Sequence, residues 1–185
     1  DAVIAEIRAA LCEHGVIFLR DQSLTPEQQV RFLKEAQITA NLQHPGVVPI
    51  FALGQLPDGR LAYAMQLVHG RSFQLLINEL HDAIRDGTWQ PTEGGWTFRK
   101  LLDILLRIGE TVAYAHHLGI VHRDLKPDNV MIGEFGEVQV LDWGLAVELG
   151  CPQDVAGTPA YMAPEQFSRE PVGREADVWG LGAVL

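Results

Sequence analysis

Positive charge and cysteine are both scarce in this chain, and long apolar runs are lacking. Lys and Arg number 14 against 24 Asp and Glu, a formal charge of −10. That sign opposes the contacts with phosphate backbones on which nucleic-acid binding depends, so no nucleic-acid partner is expected. It leaves room for a small anionic ligand, which a metal ion or one close cation can serve at short range. Cys12 and Cys151 form no metal or redox motif, which argues against a disulfide-stapled scaffold and fits a reducing cytoplasm. No stretch is long and apolar enough to span a bilayer, and the N-terminus has no basic region leading into a cleavable apolar core. No membrane contact is expected from this segment. Repeats and low-complexity tracts are absent as well, while 185 residues with 47% apolar content can bury one substantial core.

The chemistry is concentrated in HRDLKPDNV (His122 to Val130), LDWGLA (Leu141 to Ala146) and GTPAYMAPE (Gly157 to Glu165). Val130 to Ile132 and Glu137 to Leu141 read as short strands, with Gly133 to Glu137 as the turn between them. Asn129 precedes the first strand and Asp142 follows the second, so antiparallel pairing brings both to one end of the ribbon. Their hard oxygen donors suit Mg²⁺, which takes few protein ligands and fills its shell with water and phosphate oxygens. Taken singly, each motif is ordinary turn chemistry.

Together, in this order and spacing, they resemble the catalytic loop, metal-binding loop and activation-segment end of protein kinases. The resemblance spans about residues 30–185 and implies a bacterial-type serine/threonine kinase that moves the γ-phosphate of ATP to a Ser or Thr hydroxyl of a protein substrate. It makes Asp124 the catalytic base, Lys126 a cation on the transferring phosphoryl group, and Asn129 and Asp142 the Mg²⁺ ligands. His122 is expected to pack structurally, and Thr158 to bond Asp124 and Lys126 at the substrate site. In kinases the arginine at Arg123 pairs with a phosphorylated residue, but Leu145 to Gly157 contains no Ser, Thr or Tyr. Arg123 is therefore expected to be served by Glu148 or Asp154, or by solvent, with no phosphorylation switch there.

Upstream, Thr25, Pro26 and Gln28 form a helix start, and the helix should run to about Asn41. Glu35 shares a face with Ile38, Thr39 and Leu42. By resemblance it is the glutamate that pairs with a nucleotide-holding lysine; a solvated surface glutamate is the alternative. Leu61 to Gly70 is similar to the last N-lobe strand and hinge, with Met65 as gatekeeper, backbone groups of Gln66 and Val68 on the adenine edge, and Met131 as pocket floor. Simple core packing is the alternative for each. Residues 82–97 read as a loop, and Arg99 to His117 as a helix packed into the core.

The front of the chain lacks both a GxGxxG loop and a VAIK-like lysine. Residues 2–13 read as an amphipathic helix and Gly15 to Arg20 as a strand, with Arg20 a candidate replacement cation. Glu6 to Phe32 resembles the N-terminal region of the taurine dioxygenase family of Fe(II)/2-oxoglutarate oxygenases, placing a seam near Pro26 to Phe32. No histidine follows His122, so an oxygenase facial triad lacks its distal ligand. Glu175 to Leu185 resembles the start of the buried kinase helix whose aspartate, here Asp177, braces the catalytic loop. Glu165 is expected to lack its usual arginine, at a cost in stability.

The expected fold is thus α+β and two-lobed like a protein kinase, with an incomplete N-lobe and a C-lobe truncated within the central helix. Residues 1–29 form a separate segment and 30–185 a partial kinase domain. Two other readings stand beside it: a catalytically impaired kinase-like binding module, and an oxygenase fragment.

Overall fold

The computed structural model describes residues 25–55, 61–84, 91–151, 154–168 and 170–185. The helix and strand expected over residues 2–20, and Arg20 with them, lie outside the described residues.

Helix α1, Pro26–Asn41, begins where the Thr-Pro pair predicts and turns Ala36, Ile38 and Thr39 inward. It packs on an antiparallel pair, β1 (Ile50–Gln55) and β2 (Leu61–Met65), registered from Ile50 opposite Met65 to Gln55 opposite Leu61. Tyr63 of β2 stacks on Phe32 of α1 at 4.9 Å between ring centroids. The helix is thereby tied to the sheet through an aromatic pair.

A three-stranded sheet of order β3-β5-β6 underlies the site: β3 is Gly70–Ser72, β5 Val130–Gly133 and β6 Val138–Val140. The ribbon of β5 and β6 is the hairpin its alternating residues predict. Val130, Ile132, Val138 and Val140 face the core, while Met131 and Gln139 face the other way.

Helices α2 (Phe73–Ile84) and α3 (Phe98–His117) pack beneath this sheet. Thr97 caps α3, its hydroxyl accepting from Lys100 N at 3.3 Å, as expected of Thr at an N-cap. Leu101, Ile104, Ile108, Thr111, Val112 and Ala115 recur every three or four residues and form its buried face. Each large side chain fully buried there, such as Ile108 or Leu76 of α2, contributes about 1.5–3 kcal/mol by leaving water.

Gly46 lets the segment after α1 lie against α3, because a Cβ there would collide with the Thr111 side chain. From this position the Gly46 carbonyl accepts from Val140 N at 2.7 Å, and Val47 bridges Val140 in parallel. Two further elements finish the frame. The short strands β4 (Ile120–Val121) and β7 (Val147–Glu148) pair antiparallel, and helix α4 (Glu175–Val184) buries Ala176, Asp177 and Gly180. No described helix is long and apolar enough to cross a membrane.

Candidate active site

The loop after β4 is suspended from Asp177. One carboxylate oxygen accepts from His122 N at 2.9 Å and lies 2.7 Å from His116 Nε2; the other accepts from Arg123 N at 2.8 Å. A 1% exposed carboxylate with three partners is satisfied, and it fixes the backbone that leads to Asp124. His122, wholly buried, contributes structurally. Its Nδ1 accepts from Asp124 N at 3.3 Å, which puts the ring proton on Nε2, 3.1 Å from the Leu141 carbonyl. Trp143 packs on this ring at 4.6 Å and donates from Nε1 to Val140 O at 3.2 Å. Trp143 thus makes a hydrogen bond without leaving the core.

Asp124 is the hub of the polar cluster. Oδ1 accepts from Thr158 N at 2.7 Å; Oδ2 accepts from Lys126 Nζ at 3.0 Å and Asn129 Nδ2 at 3.2 Å. Lys126 also donates to Thr158 Oγ1 at 2.7 Å. Burial pushes the Asp124 carboxyl up, but the bonds from Thr158 and Lys126 outweigh it and hold it below the ordinary aspartate range. The group is a carboxylate at neutral pH, able to accept a proton once a substrate hydroxyl arrives.

Asn129 spends both amide hydrogens on Asp124, on the backbone carbonyl at 2.9 Å and on the carboxylate, which leaves its Oδ1 for a cation. Leu141 N donates to Asn129 O at 2.8 Å, so Asp142 begins beside the same end of the hairpin. Asp142 has a left-handed backbone, φ 57°, and Oδ1 accepts from Gly144 N at 3.3 Å. Such a conformation in a non-glycine residue is expensive and clusters at functional positions. An amide oxygen and a carboxylate are the hard donor set a divalent cation prefers.

Glu35 reaches this side from α1. A Cβ placed on Gly144 would sit 3.1 Å from both Glu35 Oε2 and Asp142 Oδ1, so the two carboxylates border one small space. Tyr63 Oη donates to Glu35 Oε1 at 3.1 Å. Burial raises the Glu35 carboxyl, the Tyr63 bond opposes that, and the negative Asp142 adds to the rise. Burial and the nearby carboxylates push the Tyr63 phenol strongly upward. Two carboxylates that border one space make a place where positive charge is favoured.

The other expected nucleotide contacts lie along β2, the segment after it and β5. Met65 ends β2 and is partly buried. Gln66 donates its N–H to Pro49 O at 3.1 Å, so only its carbonyl remains for an adenine edge. Val68 lies in the link to β3, and Met131, opposite Ser72 and Gln139, is half-exposed on the coreless face of β5.

Two expectations are refined. Arg123 meets Asp154 through the backbone: NH2 donates to Asp154 O at 2.7 Å and NH1 to Leu145 O at 3.5 Å. Burial lowers its pKa and the charges of Asp154 and Asp177 oppose that. Glu165 is only half-buried, so water reaches it and the heavy cost expected of a buried, unpaired carboxylate does not arise. Gln166, His116 and Tyr63 escaped sequence reasoning; each acts across 28 to 61 residues, where no local pattern announces it.

The hairpin-borne amide and carboxylate of Asn129 and Asp142, the buried Asp124 and the helix glutamate Glu35 are the site residues that the sequence motifs point to. The protein kinase domain matches residues 16–185, and the chain belongs to that family. That family in general uses ATP with a divalent metal. The chain is similar to serine/threonine-protein kinase PknD of Protochlamydia amoebophila, 34% identical over 98% of this chain and 20% of the relative. PknD of Chlamydia felis is 36% identical over 84% of this chain and 19% of the relative. PknD of Chlamydia pneumoniae is 34% identical over 89% and 20%. The chain thus spans about a fifth of the length of these relatives.

Proposed function

We propose that this chain is the catalytic part of a serine/threonine protein kinase using Mg²⁺ and ATP. The observation that carries this is the Asp124 carboxylate, held by Thr158, Lys126 and Asn129, with Thr158 and Lys126 keeping its pKa below the ordinary aspartate range. In the reaction the acceptor hydroxyl oxygen bonds to the γ-phosphorus as the bond to the β,γ-bridging oxygen breaks; the hydroxyl proton passes to Asp124, and ADP carries away the bridging oxygen. Lys126 offsets charge on the equatorial oxygens. Asn129 Oδ1 and the Asp142 carboxylate would hold Mg²⁺, which supplies charge neutralisation between the phosphates. Glu35 would orient a phosphate-side cation, and Met65, Gln66, Val68 and Met131 would line the adenine pocket. The acidic balance and separated cysteines support cytoplasmic work on protein, away from nucleic acid and membrane.

One observation favours a second reading, a kinase-like binding module: among the described residues, Glu35 is bonded by the Tyr63 hydroxyl and by no cation. The oxygenase reading of residues 6–32 finds no support at His122 and Asp124, because both imidazole nitrogens are engaged with backbone. The seam between residues 29 and 30 stays part of the proposal.

Transfer of labelled phosphate from ATP to a generic Ser/Thr substrate, with the protein and its Asp124→Asn variant compared, tests the assignment. A kinase loses at least about a hundredfold in rate on losing its base. Equal signals would favour the binding module.

A further inference from the structure

Gln166 sits in the short helical turn Pro164–Phe167 and is 1% exposed. A primary amide buried this deeply must find partners at both ends. Its Oε1 accepts from Ala163 N at 3.0 Å; its Nε2 donates to Arg123 O at 2.7 Å and faces Ala156 O at 3.4 Å. One side chain therefore joins the turn after the APE motif, the end of the activation segment and the residue preceding the base.

The contact with Arg123 falls where backbone control matters most. Arg123 adopts φ 73°, a left-handed conformation that a non-glycine residue keeps only when its surroundings enforce it. The peptide unit between Arg123 and Asp124 is gripped at both polar atoms: its oxygen by Gln166 Nε2 and its N–H by His122 Nδ1. Across the cleft, Gly157 presses on the same clamp. A Cβ there would stand 2.8 Å from Met162 Cγ and 3.2 Å from both Arg123 O and Gln166 Nε2, at a φ of 137°. The next residue, Thr158, supplies the N–H that meets Asp124 Oδ1.

We infer that Gln166 is a positioning residue for phosphoryl transfer: it locks the Arg123–Asp124 peptide plane to the Ala156–Thr158 segment, so that base and acceptor-seating segment move as one unit. The inference rests on Asp124 being the base. It also gives a physical basis for an activation segment free of Ser, Thr and Tyr between Leu145 and Gly157. Hydrogen bonds to backbone carbonyls, from the Gln166 amide to Arg123 and Ala156 and from the Arg123 guanidinium to Asp154 and Leu145, fasten the segment where a phosphate would otherwise do so.

The test compares the full protein with Gln166→Glu, Gln166→Met and Gly157→Ala. The glutamate keeps the acceptor for Ala163 N but turns an oxygen toward two carbonyls; the methionine keeps volume and loses every bond. Both should lower kcat by about tenfold to a hundredfold, the scale of a small misplacement of a catalytic group. KM for ATP should stay within about twofold, because Asn129 and Asp142 bond neither Gln166 nor Gly157 and meet the clamp only through Asp124 and His122. Gly157→Ala should reproduce this signature from the opposite face, and combining it with Gln166→Met should cost little more than either alone. Folded variants that keep kcat within about twofold, a parallel decline of kcat and ATP affinity, or collapse of all three folds would overturn the inference. If the unmodified protein transfers no phosphate, the base assignment fails first and takes the inference with it.

Discussion

At the residue scale, Asp177 and Thr158 separate support from chemistry. Asp177→Asn keeps the size of the side chain but replaces one acceptor oxygen by an amide that must face a backbone N–H, either His122 or Arg123. A buried donor pointed at a donor should destabilise the protein by about 2–4 kcal/mol, read by denaturant unfolding, and lower activity with it. Thr158→Val has the opposite profile. It removes the hydroxyl that accepts from Lys126 and helps to hold the Asp124 carboxyl low, while the backbone N–H to Asp124 remains, so folding should hold and kcat should drop about tenfold. Thr158→Ser should retain activity, and steady-state kinetics on the pair checks it. Legibility at this scale followed the motif. Asp124, Lys126, Asn129 and Asp177 announce themselves because each sits at a fixed place in a short pattern. The partners that Arg123 takes are backbone carbonyls, which any residue provides and no sequence pattern marks.

At the element scale, the hairpin of β5 and β6 and the helices α1 and α3 were readable, since their apolar spacing and their Thr, Pro and Gly punctuation all point the same way, while α4 was legible only through its resemblance. The pairing of β4 with β7 was not, because two residues a side carry no periodicity and the ladder is imposed by the frame around it. Gly46 shows how such a frame is assembled. Its closeness to Thr111 allows the Gly46 carbonyl to accept from Val140 N, which joins the segment after α1 to the hairpin and rests both on α3. Gly46→Ala should therefore cost about 1–3 kcal/mol, the usual range for overpacking a close contact. Adding Thr111→Ala should recover part of the loss, and a double-mutant cycle by chemical denaturation would expose the coupling. Equal, additive losses would mean that the two residues do not share that space.

At the scale of the whole molecule, the site is assembled from parts that the ligand-free fold does not hold together comfortably. Glu35 arrives on α1 and Asp142 on the loop after β6, and their carboxylates border the same space beside Gly144, with the Tyr63 hydroxyl donated to Glu35. Burial is the main cause of the upward shift of the Glu35 carboxyl, and the neighbouring Asp142 adds to it. The proposed cation and phosphate site would carry such unrelieved charge, trading stability for function. The consequence is a crossing of signs. Without ligand, Asp142→Asn keeps the Oδ1 that accepts from Gly144 N while removing one negative charge, so the variant should melt at the same temperature as the natural protein or slightly above it. With Mg²⁺ and ATP the order should reverse. A ligand held at about a hundred times its dissociation constant stabilises the state that binds it by about 2.7 kcal/mol, and the variant, short of a metal ligand, should gain little of that. Thermal unfolding of both proteins with and without Mg²⁺ and ATP measures all four values. A variant that is less stable without ligand yet equally protected by it would place the metal elsewhere and leave Asp142 a structural residue.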